Sequence, residues 1–116
     1  MTSTKQAFIR TFAEGEAYTQ PEPAGAAFRS LLKRDEVPGL SMGLVTLEGP
    51  IHKTPGSHPD WEQVYLVLAG SATVHLPDGD RKIGPQSLVV IPRNTRHSME
   101  CAAGERVEYV YINQYR

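Results

Sequence analysis

The stretch Pro55–Gly70 reads PGSHPDWEQVYLVLAG and decides the fold. His58 lies in a bend rich in Pro, Gly and Asp, and the run Val64–Leu68 that follows is rich in β-branched and aromatic residues, which favours a β-strand. Further along the chain, a second β-forming run at residues 88–91 leads through a short turn to His97. Two strand-turn units that each offer an imidazole predict a metal ion held inside a β-barrel.

Composition and charge limit the classes of protein that the chain can belong to. Its 116 residues are 40% hydrophobic and 22% charged, which is typical of one globular domain. The net charge of −1 gives no electrostatic reason to expect nucleic acid or an anionic membrane as a partner. The sequence has no apolar run of about twenty residues that would span a membrane and no N-terminal signal core. Because the single Cys101 can form no internal disulfide, we expect a cytoplasmic protein.

Short β-forming runs separated by Pro and Gly predict an all-β fold, a double-stranded β-helix or jelly-roll barrel. No segment combines a helix cap with a 3.6-residue apolar period. Pro77–Asp80 predicts a tight hairpin turn. Strands are expected near residues 28–32, 40–47, 63–68, 72–76, 88–91, 96–101 and 107–113, with shorter ones at 7–9 and at His52. Residues 1–27 are interpreted as an N-terminal arm and residues 28–116 as a single barrel domain.

The two strand-turn units resemble the paired motifs of the cupin superfamily. In the first motif of that family a His-x-His pair is followed by a carboxylate and then by a glycine. Here His58 matches the second histidine, Gln63 falls at the carboxylate position and Gly70 at the final glycine. Glu62 is the alternative ligand, but it fits only the spacing from His58, and strand alternation turns it to the opposite face. The resemblance covers roughly residues 40–112 and is strongest to small cupins that carry glutamine here.

The second cupin motif is matched with substitutions. His97 falls at its histidine, while the two glycines of the motif fall on Gln86 and Asn94. Asparagine is the non-glycine residue that best tolerates a left-handed backbone, so the second of these departures is mild. The final asparagine of the motif falls on Cys101.

The resemblance implies a bound metal ion with His58, Gln63 and His97 as ligands. The first histidine of the His-x-His pair falls on Gly56, so one expected ligand is missing, and His52 is the candidate replacement. Nitrogen and oxygen donors suit one divalent transition metal ion, namely manganese, iron, nickel, copper or zinc, without choosing among them. Because glutamine is neutral, the ion would bind less tightly and attract an anionic substrate more strongly.

Further residues are expected around this metal. Tyr65 has the orientation of Gln63 and is a candidate acid or hydrogen-bond donor, and Arg96 is a candidate for recognising a carboxylate. The competing interpretations are a half-buried structural tyrosine and a solvated arginine. The expected pocket residues are Trp61, Met99, Cys101, Tyr109 and Tyr111, and the competing interpretation of Met99 and Cys101 is packing in the core.

The resemblance implies a small metal-dependent enzyme acting on a carboxylate- or carbonyl-bearing small molecule, by isomerase, lyase, ring-opening or dioxygenase chemistry. The alternative, which the glycine at position 56 favours, is a metal-free module that binds or senses a small molecule. Small cupins are commonly dimers, so we expect a homodimer, in which residues 1–27 could be exchanged between subunits. The substrate stays open, because one fold hosts many chemistries.

Overall fold

The computed structural model describes residues 6–21 and 24–115. The strands in these residues are β1 (Glu16–Tyr18), β2 (Ala26–Leu32), β3 (Leu40–Glu48), β4 (Ile51–His52), β5 (Trp61–Gly70), β6 (Ala72–Leu76), β7 (Gly79–Ile83), β8 (Leu88–Ile91), β9 (Ser98–Cys101) and β10 (Arg106–Tyr115). The helical structure among them is a 3₁₀ turn at Phe12–Glu14. No helix in this part of the chain is long and apolar enough to cross a membrane.

The strands form two antiparallel sheets. One has six strands in the order β1-β2-β3-β10-β5-β8, and the other has four in the order β4-β9-β6-β7. Strands that are distant in sequence are therefore neighbours in space, as β10 lies between β3 and β5. This arrangement confirms the predicted all-β jelly-roll class.

The core lies where the apolar faces of the two sheets meet. In β5 the side chains of Gln63, Tyr65 and Val67 are buried while Leu66 and Leu68 are exposed, as strand alternation requires. The same alternation in the second sheet buries its apolar side chains. The buried cluster contains Val45, Leu47, Val67, Ala72, Val74, Ile91, Met99, Cys101 and Val107 among others.

The sequence did not predict two of the observed strands, β1 and β7, and it predicted one strand that the structure does not contain. β1 and β7 are largely polar, and they become strands because a neighbour pairs with them: β1 with β2, and β7 with β6 across the hairpin. The short strand expected at residues 7–9 is not formed. The hairpin itself is as predicted, since Leu76 and Gly79 pair across the two-residue connection of Pro77 and Asp78.

The described part of the N-terminal arm packs against its own chain. β1 extends the six-stranded sheet, and the ring of Tyr18 stacks on that of Phe28 with centroids 5.4 Å apart. Arg10 donates to the carbonyl of Leu31 at 2.7 Å and forms a two-pronged ion pair with Glu36. Exchange of this arm between subunits stays a prediction.

The turns that carry the motifs adopt the backbone conformations that their positions demand. Gln86 and Asn94, which replace the glycines of the second motif, both have positive φ, 65° and 64°. Gly70 ends β5 with φ 77°, and a Cβ there would lie 1.9 Å from the carbonyl oxygen of Arg106. Only glycine fits at position 70, and this close approach lets β5 pair with β10 up to its last residue.

Candidate metal centre and ligand cavity

A cavity of about 270 Å³ opens between the two sheets and the loop that precedes β5. It brings together two imidazoles, His58 and His97, and two amides, Gln63 and Asn113. Aromatic rings form much of its remaining wall. These are Tyr18, Phe28, Trp61, Tyr65, Tyr109 and Tyr111.

His97 is fixed by its backbone and by one ring nitrogen. A β-bridge joins it to Gly56 through two hydrogen bonds of 3.1 and 2.9 Å between their backbones. Its Nδ1 lies 2.9 Å from the carbonyl oxygen of Thr95, and because a carbonyl only accepts, Nδ1 must carry the proton. In the neutral ring Nε2 then holds a lone pair, which is the arrangement found in metal-binding histidines.

His58 faces His97 across the cavity wall, with ring centroids 5.1 Å apart. Its ring stacks on the indole of Trp61 at 4.5 Å, and its carbonyl accepts a 2.8 Å hydrogen bond from the backbone of Asn94, which ties the two motif turns together. Burial, and then the nearby His97 and Lys53, lower the pKa of His58 below its ordinary value. The imidazole is therefore neutral at pH 7 and able to donate a lone pair.

Gln63 stands in the middle of a buried hydrogen-bond chain. The hydroxyl of Tyr65 donates to Gln63 Oε1 at 2.8 Å, and Gln63 Nε2 donates to Asn113 Oδ1 at 2.9 Å. Burial raises the pKa of Tyr65 well above its ordinary value, so this phenol stays protonated and acts as a donor. An amide oxygen has two lone pairs, and one remains on Oε1 for a further contact.

Glu62, the alternative ligand, points away from the cavity. Its carboxylate receives two hydrogen bonds from Arg93, 2.7 Å from Nε and 3.0 Å from Nη2. The alternation of side chains along β5 thus presents Gln63 to the cavity and Glu62 to the outside, as the spacing to Gly70 predicted.

The structure corrects the expected position of His52, which lies outside the cavity. β4 pairs with β9 so that Ile51 opposes Cys101 and His52 opposes Glu100. Ile51 and Cys101 face the core, and the adjacent residues His52 and Glu100 therefore face out. His52 cannot replace the missing ligand at Gly56, because it belongs to the opposite face of the four-stranded sheet.

Two further expected residues, Arg96 and Cys101, also lie outside the cavity. Arg96 is exposed and lines a shallow groove on the outer surface beside His75 and Pro77. Cys101 is buried in the core, where its thiol lies 3.9 Å from the carbonyl oxygen of Ser71 and burial raises its pKa. The other expected pocket residues, Trp61, Met99, Tyr109 and Tyr111, do line the cavity.

The cavity also contains residues that the sequence reading missed. Asn113 could have been found, because it has the same strand parity as Tyr109 and Tyr111 on β10. Lys53 brings a positive charge to the lining from the loop after β4, and nothing in the sequence marks it out. Ser98 contributes to the lining of both this cavity and the outer groove beside Arg96, and its buried hydroxyl has no hydrogen-bond partner among the described residues.

The side-chain ring of Tyr111 lies over the backbone of Gly43 on the neighbouring strand β3. Tyr111 pairs in register with Gly43, and a Cβ at position 43 would lie 2.4 Å from the tyrosine ring. The absence of a side chain lets the Tyr111 hydroxyl reach that of Tyr18, 2.9 Å away. The N-terminal arm therefore helps to build the wall of the cavity.

The chain belongs to the cupin family. The family model described as the cupin domain matches residues 44–113, which include both motif turns and the strands between them. A search among curated protein sequences found no match.

Comparison with solved structures supports the same fold. The polyketide cyclase RemF from Streptomyces resistomycificus is 21% identical, with a TM-score of 0.82 over 94% of this chain and 80% of that one. KdgF from a Halomonas species is 21% identical, with a TM-score of 0.75 over 90% and 91%. A protein described as a predicted oxalate decarboxylase from Thermotoga maritima is 13% identical, with a TM-score of 0.79 over 94% and 100%. At these identities the likeness establishes the fold alone.

Proposed function

We propose that this protein is a small metal-dependent cupin enzyme that acts on a carbonyl- or carboxylate-bearing small molecule. The observation that carries the proposal is the convergence of His58, His97 and Gln63 on one cavity between the sheets. The similarity to a polyketide cyclase and to a predicted oxalate decarboxylase supports an enzyme of this class.

The donor set fits a divalent transition metal. His97 offers Nε2, His58 is neutral near pH 7, and Gln63 keeps a lone pair on Oε1. Two nitrogens and one neutral oxygen suit manganese, iron, nickel, copper or zinc, and three protein ligands leave positions for a substrate. When bound, such an ion supplies Lewis-acid polarisation of a carbonyl or enolate oxygen.

The remaining residues of the cavity would bind and orient the substrate. Lys53 brings a positive charge that suits a carboxylate or enolate. The flat walls of Trp61, Tyr109 and Tyr111 suit a planar conjugated molecule. The volume of about 270 Å³ lies just below the range of roughly 300–1,000 Å³ that is usual for drug-sized ligands, so we expect a compact substrate.

Metal loading combined with ligand-induced stabilisation tests this function. The tag-free protein is reconstituted with each of the five metals and heated with a panel of 2-oxo acids, sugar acids and aromatic diketones. We expect at least one compound to raise the melting temperature of the metal-loaded protein and not that of His97→Ala. A protein that holds less than about a tenth of an equivalent of every metal after reconstitution contradicts the proposal.

A second candidate function is a metal-free module that binds or senses a small ligand. Gly56 at the first histidine position favours it, and so does the hydrogen bond that already engages Gln63 Oε1. Such a module would be stabilised by its organic ligand in the presence of a chelator. Stabilisation that disappears when the metal is removed rules this alternative out.

We also propose that the protein is a homodimer. β8 is the last strand of the six-stranded sheet, and exposed Leu66, Leu68, Leu88 and Val90 make an apolar patch on β5 and β8. Unpaired edge strands and contiguous apolar patches mark association surfaces.

Light scattering should give a dimer at micromolar concentration, and Leu88→Lys should make it a monomer. Removal of residues 1–12 should weaken the dimer only if the arm is exchanged, and a wild-type monomer contradicts the proposal.

A further inference from the structure

A row of polar side chains crosses the outer face of the four-stranded sheet, away from the cavity. Each strand contributes one residue: His52 from β4, Glu100 from β9, His75 from β6 and Asp80 from β7. His52 is directly opposite Glu100, and His75 is directly opposite Asp80. Glu100 and His75 are diagonal neighbours on the paired strands β9 and β6. The sheet register therefore brings together four residues that lie far apart in the sequence.

Three residues of this row, His52, His75 and Glu100, lie close enough together to bind one metal ion. Glu100 Oε1 lies 2.7 Å from His75 Nε2 and 3.5 Å from His52 Nδ1, and the candidate ligand atoms of the three residues all lie within 4.8 Å of one another. Ligands about 2.0–2.2 Å from a tetrahedral zinc ion are themselves about 3.3 Å apart. Small rotations of exposed side chains bring this set to that spacing.

Asp80 supports the same interpretation. It lies 2.7 Å from His75 Nδ1, the nitrogen that the metal would not use. A carboxylate that accepts the other ring proton of a metal-binding histidine orients the ring and makes its free nitrogen more basic. Two carboxylates beside two imidazoles also give the row a negative charge, which favours a cation.

From this geometry we propose that His52, His75 and Glu100 bind a divalent zinc-like ion on the outer face of the sheet, with Asp80 orienting His75. The ion would replace the proton between His75 Nε2 and Glu100. It would also connect the two-residue strand β4 to the rest of the sheet. Because β4 leads into the loop that carries Gly56 and His58, a bound ion would stabilise one end of that loop. This site is separate from the cavity and does not depend on the proposed function.

Calorimetric titration of tag-free protein with zinc chloride tests the site. The background is His58→Ala combined with His97→Ala, which removes the imidazoles of the cavity. We expect this variant to bind one equivalent of zinc, with a rise in melting temperature, and to lose both on further substitution of His52→Ala. Asp80→Asn should weaken binding roughly 10- to 100-fold without abolishing it. Asp78→Asn, on the same hairpin, should leave the affinity unchanged.

Failure of this proposal is distinguishable from failure of the proposed function. If the background variant does not fold, the wild-type protein replaces it, and His52→Ala should then reduce the number of zinc ions bound by one. One equivalent that is lost in His52→Ala but kept in His97→Ala supports the surface site and contradicts a metal in the cavity. Zinc binding that His52→Ala leaves unchanged, or no binding at all at micromolar zinc, overturns the surface site.

Discussion

The phenolic hydroxyl of Tyr65 donates a 2.8 Å hydrogen bond to Oε1 of Gln63, two residues earlier on the same strand. Because both side chains face the cavity and the phenol stays protonated, this contact fixes the amide with its oxygen towards Tyr65 and its nitrogen towards Asn113. The oxygen that would contact a metal is thus held in place, but it carries no charge. A metal ion bound here would be held less tightly than by a carboxylate, and it would keep more of its positive charge.

Gln63→Glu tests the role of this neutral ligand. A carboxylate adds one negative charge beside the ion, so the affinity for a divalent metal should rise at least about tenfold. Tyr65 can donate to the new carboxylate, and the amide of Asn113 can rotate to donate as well. Isothermal titration with manganese or nickel measures the change, with Glu62→Gln as the control that should leave it unaltered. Equal affinities in Gln63→Glu and the wild type would remove Gln63 from the ligand set.

Gly56→His tests whether the missing ligand can be restored. A Cβ at position 56 would meet no atom within 4 Å, and Gly56 lines the cavity two residues before His58. The new imidazole should therefore enter without displacing the backbone bridge to His97, and it should raise metal affinity about tenfold or more. Gly56→Ala is the matched control and should fold normally with unchanged affinity. An unaltered metal affinity in a folded Gly56→His would contradict the assigned geometry.

Gln86→Gly should stabilise the protein. Gln86 holds φ at 65°, a conformation that costs a side chain about 1–2 kcal/mol, while glycine costs about 0.5–1 kcal/mol in lost chain entropy. The free energy of unfolding should rise by about 0.5–1 kcal/mol, as measured by urea titration. Asn94→Gly is the matched control, because asparagine tolerates φ 64° and the change should be smaller. A destabilised Gln86→Gly would mean that the glutamine side chain makes a contact that outweighs its strain.

Glu105→Gln should reduce stability in a manner that depends on pH. Contacts with Lys82, Ser71 and the backbone of Ala102 lower the pKa of Glu105 from 4.5 to about 2. A lowered pKa in the folded state contributes stability above pH 4.5, and this contribution disappears as the pH falls towards 2. Urea titrations should show a loss of about 1 kcal/mol at pH 7 that shrinks between pH 4.5 and pH 2. A loss of stability that stays constant across this pH range would contradict the assigned contacts. As the control, Asp78→Asn removes one partner of an exposed ion pair and should change the free energy of unfolding little at any pH.

The sequence predicts most of the fold because its main strands are rich in β-branched and aromatic residues. β5 and β10 show this best, and their alternation also predicts that Gln63, Tyr65 and Tyr109 face inward. β7 was missed because the sequence GDRKI has no strand signal of its own, and its pairing with β6 decides its structure. Pairing between distant segments is a tertiary property that local patterns do not contain.

The orientation of a side chain towards the candidate site could be predicted where the residue lies on a regular strand. It could not be predicted where the residue lies in a loop or next to an irregular strand. Counting six residues back from His58 gives His52 an inward orientation only if the strand runs unbroken through Pro55 and Gly56. The register of β4 against β9 breaks that count and turns His52 outward. Arg96 is similar, since it lies in the turn before β9 where alternation does not apply.

Fluorescence of Trp61 gives the most direct test of a metal held between His58 and His97. This is the single tryptophan of the chain, and its ring stacks on His58 at 4.5 Å, so an open-shell ion such as copper(II) on that imidazole should quench it at short range. The titration is made in a His52→Ala background, which removes a ligand of the surface site. We expect saturable quenching at one equivalent of copper that is lost when His97→Ala is added. Quenching that does not saturate, or that persists unchanged in the folded His97→Ala variant, would contradict a shared metal centre.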